Sequence, residues 1–423
     1  MRSSKARRRQ RAGMALPDRA RVLDGIADRL HAHAAELIPL AMLETHLAQP
    51  RLAGELKRTS FQLRLFAQSV LDGGFLDVRI DGADAEWPMG APRPDLRRMN
   101  IPLGPVLNFS ASNFPFAFSV AGGDTASALA AGCPIIVKAN PGHPALSRAV
   151  GRLLDEVIAE CGAPHGTFGL IFGRDAGVRA LLHPAVAAAA FTGSTAGGRA
   201  LYDLAGGRSV PIPFYGELGS INPVFVTAEA ARARAAEIAE GLLMAVSSSA
   251  GQLCTKPGLV AVPEGSLVLA ELIRTAPVPT GEMLNDQIED GFTRAVEQVR
   301  AHPDVRVLTG GGPREALLLA TTARTVLADR DRLMHEMFGP ATLLVSYRDT
   351  AELLELARSV HGELTVSISA STPTTPPARF SPPRRVRPGE CSGTPVQWCS
   401  SRYPISCCRR HCAPRIHSVY LAR

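Results

Sequence analysis

Cysteine is scarce through most of this chain. Five of its eight cysteines (Cys391, Cys399, Cys407, Cys408 and Cys412) crowd into the last stretch, and only Cys133, Cys161 and Cys254 serve everything before it. Three scattered thiols make no disulfide framework, which points to a reducing, cytoplasmic setting. Uninterrupted apolar runs are also missing. The longest candidate, about 104–137, is broken by Asn108, Asn113, Pro115 and Asp124, whereas a membrane helix needs about 20 nearly continuous apolar residues. It reads as buried core. Acid is absent from both ends: residues 1–12 hold six Lys/Arg and no carboxylate, and residues 371–423 hold nine Arg against the single Glu390. The formal charge of +7 and pI near 9.2 therefore belong to the two ends. The body between them is acidic, which speaks against a nucleic-acid partner or a membrane. The Arg-rich start has no apolar segment behind it, so no secretory signal is expected; an organellar presequence and an extension ahead of a start at Met14 both stay open.

What is present is enough for more than one core, since 423 residues exceed the usual single-core size and 46% of them are hydrophobic. Apolar residues at helical spacing predict helices over 22–42 and 56–71, an antiparallel pair. Polar, proline-rich sequence over 76–100, alternating at Leu76-Asp77-Val78-Arg79-Ile80, predicts an arm or hairpin. From 105 onward short apolar strands alternate with helices: strands at 106–109, 135–137, 167–171 and 186–191, helices at 118–131, 145–160, 176–182 and 197–205. That rhythm predicts a doubly wound parallel sheet. A second α/β region follows, with strands at 223–226, 258–262, 305–309 and 342–345 and helices at 229–247 and 291–301. Past residue 370, nine prolines and nine arginines with no leucine before Leu421 offer no periodic apolar pattern to offset chain entropy, so 371–423 reads as disordered or aberrant. No internal repeat is visible.

The chemistry concentrates at Gly251-Gln252-Leu253-Cys254-Thr255. A cysteine thiolate is strongly nucleophilic and also leaves readily from a thioester, which suits oxidation of a carbonyl carbon after addition to it. Cys133 and Cys161 read as structural. Asn113, in Ser112-Asn113-Phe114-Pro115, supplies an amide donor of the kind a developing oxyanion needs fixed in advance; taken alone, it would be a turn before a helix. Glu217, in Tyr215-Gly216-Glu217-Leu218-Gly219, is a carboxylate in partly apolar surroundings, which raises a pKa toward that of a general base. Gly193 and Gly198 follow an apolar strand and open a helix, letting backbone approach a phosphate at the helix N-terminus.

These strings, with Ile136-Val137-Lys138 and His335-Glu336-Met337-Phe338-Gly339-Pro340, occur in an order and at separations that resemble the aldehyde dehydrogenase superfamily. Residues 117–134 and 215–225 resemble the branch of 2,5-dioxopentanoate (α-ketoglutarate semialdehyde) dehydrogenases and NADP-dependent fatty aldehyde dehydrogenases. The resemblance implies NAD(P)-dependent oxidation of an aldehyde to the acid. Cys254 would be nucleophile, Glu217 general base, and Asn113 would pair with the Cys254 N–H in an oxyanion hole. Lys138, Gly193, Ser194, Gly198, Glu336 and Phe338 would bind the cofactor. Pro141 stands where many NAD-preferring relatives carry a ribose-binding glutamate, so NADP is favoured, with NAD as the alternative. A glutamate at 217 favours release as free acid over transfer to coenzyme A. The implied fold is a cofactor-binding domain over 1–218 with an oligomerisation arm at about 76–100, a catalytic domain over 219–370, and an assembly of like chains.

The resemblance spans about 15–370 and fails at both ends. The chain reads as truncated at the N-terminus and out of frame after about 370, since Arg, Pro, Ser and Cys together are what a GC-rich gene yields when shifted. The competing reading is a non-catalytic or unstable product of such a gene. The tail's Cys399, Cys407, Cys408, His411 and Cys412 lack the paired Cys-x2-Cys spacing of structural zinc sites, and no metal is expected.

Overall fold

Helix formation begins where apolar side chains recur three and four apart. In α1 (Leu16–Ala32) Val22, Leu23, Ile26, Ala27 and Leu30 are buried on one face, and Pro17 sits in the first turn, where its missing N–H costs nothing. The structure, a computed structural model, describes residues 14–370 apart from Pro277 and Pro313. The expected tail and the basic N-terminus lie outside the described residues. Within the described span the chain divides into two compact units, one ending at Leu218 and the other starting at Gly219.

The expected helical pair is three helices. The 22–42 pattern breaks at His33 into α1 and α2 (Ala34–Thr45); Pro39 inside α2 has no N–H to donate and crowds the turn before it. The third helix, α3 (Gln49–Asp72), buries Leu52, Leu56, Leu63, Phe66 and Val70 and packs along α1. It stops at Gly73, whose φ of 65° lies in the left-handed region that favours glycine at a helix end. Next, β1 (Arg79–Asp81) and β2 (Leu96–Arg98) pair antiparallel with every residue exposed, which is the expected hairpin.

The rest of the first unit is a five-stranded parallel sheet in the order β5 (Phe168–Ile171), β4 (Ile135–Lys138), β3 (Val106–Phe109), β6 (Ala188–Thr192), β7 (Phe214–Glu217). Between the strands run α4 (Gly123–Ala131), α5 (Pro144–Glu160), α6 (Arg174–Leu182) and α7 (Thr195–Gly206). The chain winds outward from β3 in one direction and, after β5, returns to start again at β6. That doubly wound order leaves a switch point between β3 and β6, where a crevice opens at the carboxyl ends of the strands. Glu44 fastens the entrance of α5 by accepting the N–H groups of Ala145 at 2.9 Å and Leu146 at 2.8 Å. This is a carboxylate on a helix N-terminus, the favourable end of the dipole.

One carboxylate in this unit is held at a cost. Asp124, in the first turn of α4, is 7% exposed, and burial alone raises its pKa to about 6. The folded protein keeps a proton here that the unfolded chain loses near pH 4, so this group's penalty is absent below about pH 4 and complete above about pH 6. Asp124→Asn is accordingly expected to stabilise the protein by about 2–3 kcal/mol at pH 7 and hardly at all at pH 4. Urea titrations across that range check it, and an equal effect at both pH values refutes it.

The second unit has a six-stranded sheet in the order β10 (Arg306–Thr309), β11 (Leu317–Thr322), β12 (Ala341–Tyr347), β9 (Leu259–Pro263), β8 (Val224–Val226), β13 (Ser367–Ser369). All neighbours are parallel except β10 against β11. Alternate residues feed two cores. Leu259, Ala261, Leu317, Leu319, Leu343 and Val345 face one; Val260, Val262, Leu318, Ala320 and Leu344 face the other. Burial on both faces explains why these strands read as continuous apolar runs. The helix expected over 229–247 is two, α8 (Ala228–Ala233) and α9 (Ala235–Ser247), interrupted at Arg234, whose φ of −140° is not helical. There Arg234 Nη2 reaches the carbonyl of Ala370 at 2.6 Å. Elements not anticipated are α10 (Leu267–Thr275), β11, α12 (Ala323–Ala328), α13 (Arg330–Leu333) and α14 (Thr350–Ser359), and α11 (Asp286–Arg300) starts earlier than its apolar pattern.

Candidate active site

In the first unit the sheet register lines up four of the expected residues at one edge. Lys138 on β4 is opposite Phe109 on β3, Phe109 is opposite Phe191 on β6, and the next residue, Thr192, is opposite Glu217 on β7. Since strands lie about 4.8 Å apart, Lys138, the start of the Asn113 turn, the Gly193 loop and Glu217 share the carboxyl edge flanking the switch point. The N–H of Gly193 donates to the carbonyl of Glu217 at 3.0 Å, tying that loop to the end of β7. Asn113 is buried in a turn closed by Ala111 N–H to Phe118 O at 2.9 Å and Phe118 N–H to Phe114 O at 3.1 Å.

The glycines at this edge answer to close packing. A Cβ on Gly198 would fall 2.0 Å from Leu218 Cδ2, and one on Gly193 would fall 2.7 Å from the ring of Phe191. Ser194 caps α7, its hydroxyl accepting the Gly197 N–H at 3.3 Å. The exposed start of α7 thus offers backbone N–H groups and the positive end of a helix dipole, which suits a phosphate. Lys138 is half-buried; desolvation lowers its pKa, and no described carboxylate pairs with it. A cation so placed suits an anionic or hydroxyl-rich ligand. The residues at this edge therefore fit a dinucleotide.

In the second unit Cys254 follows a left-handed turn. Ser249 (φ 50°), Ala250 (φ 51°) and Gly251 (φ 66°) occupy that region in succession, and two of them are not glycine. Such conformations cost on the order of 1–3 kcal/mol each and persist where surroundings over-determine them. Those surroundings are visible. Buried Gln252 donates to Ser249 O at 3.0 Å and accepts the Leu284 N–H at 2.8 Å. Asn222, itself left-handed at φ 50°, donates through Nδ2 to the carbonyls of Cys254 at 2.8 Å and Lys256 at 3.0 Å. Glu363 accepts from Ser220 Oγ at 2.8 Å and the Ile221 N–H at 2.6 Å, holding the Asn222 segment in turn. Gly251 lies against Gly339: a Cβ there would stand 2.2 Å from the Gly339 carbonyl oxygen. Gly251→Ala is expected to destabilise the protein by about 2 kcal/mol or more through clash and left-handed strain together. A melting temperature unchanged in that variant contradicts this packing.

Lys256, two residues past the thiol, is the main functional candidate that sequence reasoning missed. Its buried ammonium donates to Met337 O at 2.9 Å and Ala341 O at 2.7 Å, bracketing Phe338-Gly339-Pro340. Desolvation lowers its pKa to about 8, opposed by the charge of Glu336. Desolvation likewise raises Glu336, while the Ser220 N–H and the Lys256 charge hold it down. A lysine in Thr255-Lys256-Pro257-Gly258, immediately before a buried strand, was the available signal. The structure thus gathers Asn113, Lys138, Gly193, Ser194, Gly198 and Glu217 on the first unit, and Cys254, Glu336 and Phe338 on the second. Of the other described cysteines, Cys133 is buried and Cys161 has its thiol pKa raised, chiefly by desolvation.

Residues 1–375 match the profile of the Aldehyde dehydrogenase family. The chain belongs to that family. It is 42% identical over 379 residues to the Alpha-ketoglutaric semialdehyde dehydrogenase 2 of Azospirillum brasilense, covering 86% of this chain and 71% of the relative. It is 38% identical over 373 residues to an Alpha-ketoglutaric semialdehyde dehydrogenase of Acinetobacter baylyi, covering 85% and 70%. Among solved structures, an NADP-dependent glyceraldehyde-3-phosphate dehydrogenase of Bacillus halodurans C-125, complexed with NADP, shares the fold at a TM-score of 0.69 and 21% identity, covering 85% of this chain and 74% of its own. An aldehyde dehydrogenase is an NAD(P)-dependent enzyme acting on small aldehydes, and no described helix here is long and apolar enough to cross a membrane. Among the described residues no group of three or more His, Cys, Asp or Glu is placed to hold a metal; the cysteines of the tail lie outside them.

Proposed function

We propose that this enzyme oxidises 2,5-dioxopentanoate, or another small semialdehyde, to its carboxylic acid through a thioester on Cys254, with NADP preferred over NAD. The observation that carries the substrate class is the 42% and 38% identity to two α-ketoglutaric semialdehyde dehydrogenases over most of the chain. In this reading the unit ending at Leu218 binds the cofactor, the unit from Gly219 to about 370 supplies the thiol, and the exposed hairpin within 76–100 joins like chains in the cytoplasm.

The residues divide the work as follows. Cys254 Sγ adds to the aldehyde carbon, and the Asn113 amide with the Cys254 N–H steadies the resulting oxyanion; fixed donors are worth more here than water, which must reorient. A bound nicotinamide cofactor would supply the hydride acceptor, so that hydride loss from the Cys254 adduct leaves a thioester. Glu217 then takes a proton from the water that attacks the thioester, releasing the acid and restoring the thiol. Lys138 and the glycine-lined start of α7 would hold the adenosine phosphates and ribose, and Glu336 with Phe338 would bind the nicotinamide end. Two features support NADP: Lys138 is a desolvated cation without a carboxylate partner, and Pro141 places no acid against a 2′-phosphate.

Steady-state assays with 2,5-dioxopentanoate, succinic semialdehyde and benzaldehyde against both cofactors test the reading. Expected is the highest kcat/KM with 2,5-dioxopentanoate and NADP, at least about 10-fold over NAD, the scale of one lost charged contact. A preference for benzaldehyde overturns the substrate assignment, and a preference for NAD overturns that of the cofactor.

A further inference from the structure

The turn carrying Asn113 is gripped by two side chains of α3, distant in sequence and outside the strings that mark the family. Arg51 Nη2 donates to the carbonyl of Asn113 itself at 2.7 Å. Glu55, its side chain 3% exposed, accepts through Oε1 the N–H groups of Phe116 at 2.8 Å and Ala117 at 2.9 Å. Arg51 Nη1 closes the arrangement on Glu55 Oε2 at 2.7 Å. The Arg51 guanidinium also lies 4.7 Å from the centre of the Phe114 ring, and Arg58 stands over Phe118 at 5.1 Å. The peptide groups on both sides of Phe114-Pro115 are thereby held by one ion pair.

Stability alone does not account for this pair. A buried ion pair is on average no more stabilising than apolar residues of the same shape, because desolvation offsets the attraction. The pKa of Glu55 records that cost: burial raises it, and Arg51 with the two N–H groups pulls it back. The turn also has its own backbone bonds from Ala111 and Phe118. What the pair adds is direction, since a forked guanidinium and a two-toothed carboxylate fix position and angle in a way that packing does not.

We infer that Arg51 and Glu55 are positioning residues for the oxyanion-binding amide of Asn113, an inference that rests on the role proposed for Asn113 above. Removing the grip frees the Asn113 carbonyl and the N–H groups of Phe116 and Ala117, and lets the amide drift. A misplacement of about 1 Å at such a donor can cost about 10²-fold in rate.

The test uses the full chain with Arg51→Met, Arg51→Lys, Glu55→Gln and Asn113→Ala, and two readouts. Hydride transfer is followed as the single-turnover rise of reduced cofactor. Thiol reactivity is followed as the alkylation rate of Cys254 by iodoacetamide, a displacement that develops no carbonyl oxyanion and needs no oxyanion donor. Arg51→Met is expected to slow hydride transfer by about 10²-fold while alkylation stays within about twofold, and Arg51→Lys, which keeps a donor, is expected to recover part of the loss. Glu55→Gln, isosteric and still able to accept an N–H, provides the same comparison where Arg51→Met is insoluble. Combined with Asn113→Ala, either substitution is expected to add little further loss, because the pair acts through Asn113. Fully additive losses overturn the inference, as does a parallel fall of alkylation and hydride transfer. Full hydride transfer in Asn113→Ala alone overturns instead the oxyanion role of Asn113, and is distinguished from failure of the pair because it appears in the single variant.

Discussion

Replacing Cys254 by alanine is expected to abolish aldehyde oxidation while leaving cofactor binding unchanged. A free aldehyde is a poor hydride donor, and only the sulfur adduct makes its hydrogen transferable, so the loss is that of a nucleophile, on the order of 10⁴-fold or more. No other described thiol can take over. Cys133 is buried at the end of α4, and the Cys161 thiol is pushed up, mainly by desolvation. The groups proposed to bind the cofactor do not include Cys254, and the Cys254 loop is held through backbone carbonyls by Asn222 rather than through the thiol. Fluorescence titration with reduced cofactor should therefore give the wild-type Kd. Measurable steady turnover in the variant would remove Cys254 from the mechanism.

The second large effect concerns Glu217. Glu217→Gln is expected to keep a rapid first turnover, close to one reduced cofactor per site, and to slow steady turnover by about 10²–10⁴-fold. The reasoning is chemical: thiol addition and hydride loss form the thioester without that carboxylate, and hydrolysis needs a base to activate water. The thioester should accumulate and appear by mass spectrometry as an acyl adduct on Cys254. The substitution keeps shape, and the backbone bond from Gly193 to the Glu217 carbonyl is untouched by it. If the first turnover disappears together with the steady rate, Glu217 acts before acylation, on the thiol or on the architecture of the site.

Local sequence made most of the strands readable, because burial on two faces leaves runs such as those of β8 and β9 with no polar residue to mistake for a turn. It was less able to place β11. Ala316-Leu317-Leu318-Leu319-Ala320 suits a helix or a strand equally, and only pairing between β10 and β12 selects the strand. The breaks at His33 and Arg234 were likewise invisible, since the apolar spacing runs through both; at Arg234 the chain leaves the helix where the side chain reaches the Ala370 carbonyl.

The same division runs through the site. Cys254, Glu217, Asn113 and Gly193 stand out as candidates because each sits in a short string whose chemistry is local: a thiol in a glycine loop, a carboxylate at a strand end, an amide in a turn, glycines before a helix; Lys138 is a candidate through the family resemblance. Strand and helix rhythm determined the α/β fold, while the family and the candidate reacting groups came from the resemblance of short strings to a known family. What only the tertiary structure decided is how those groups are held. Arg51 and Glu55 reach the Asn113 turn from about 60 residues upstream, Lys256 spans to Met337 and Ala341, and Glu363 holds the Asn222 segment that supports Cys254. These contacts run from a charged or amide side chain to a distant backbone carbonyl or N–H. Every residue carries those backbone groups, so no pattern of side chains along the chain can announce which one a buried charge will find.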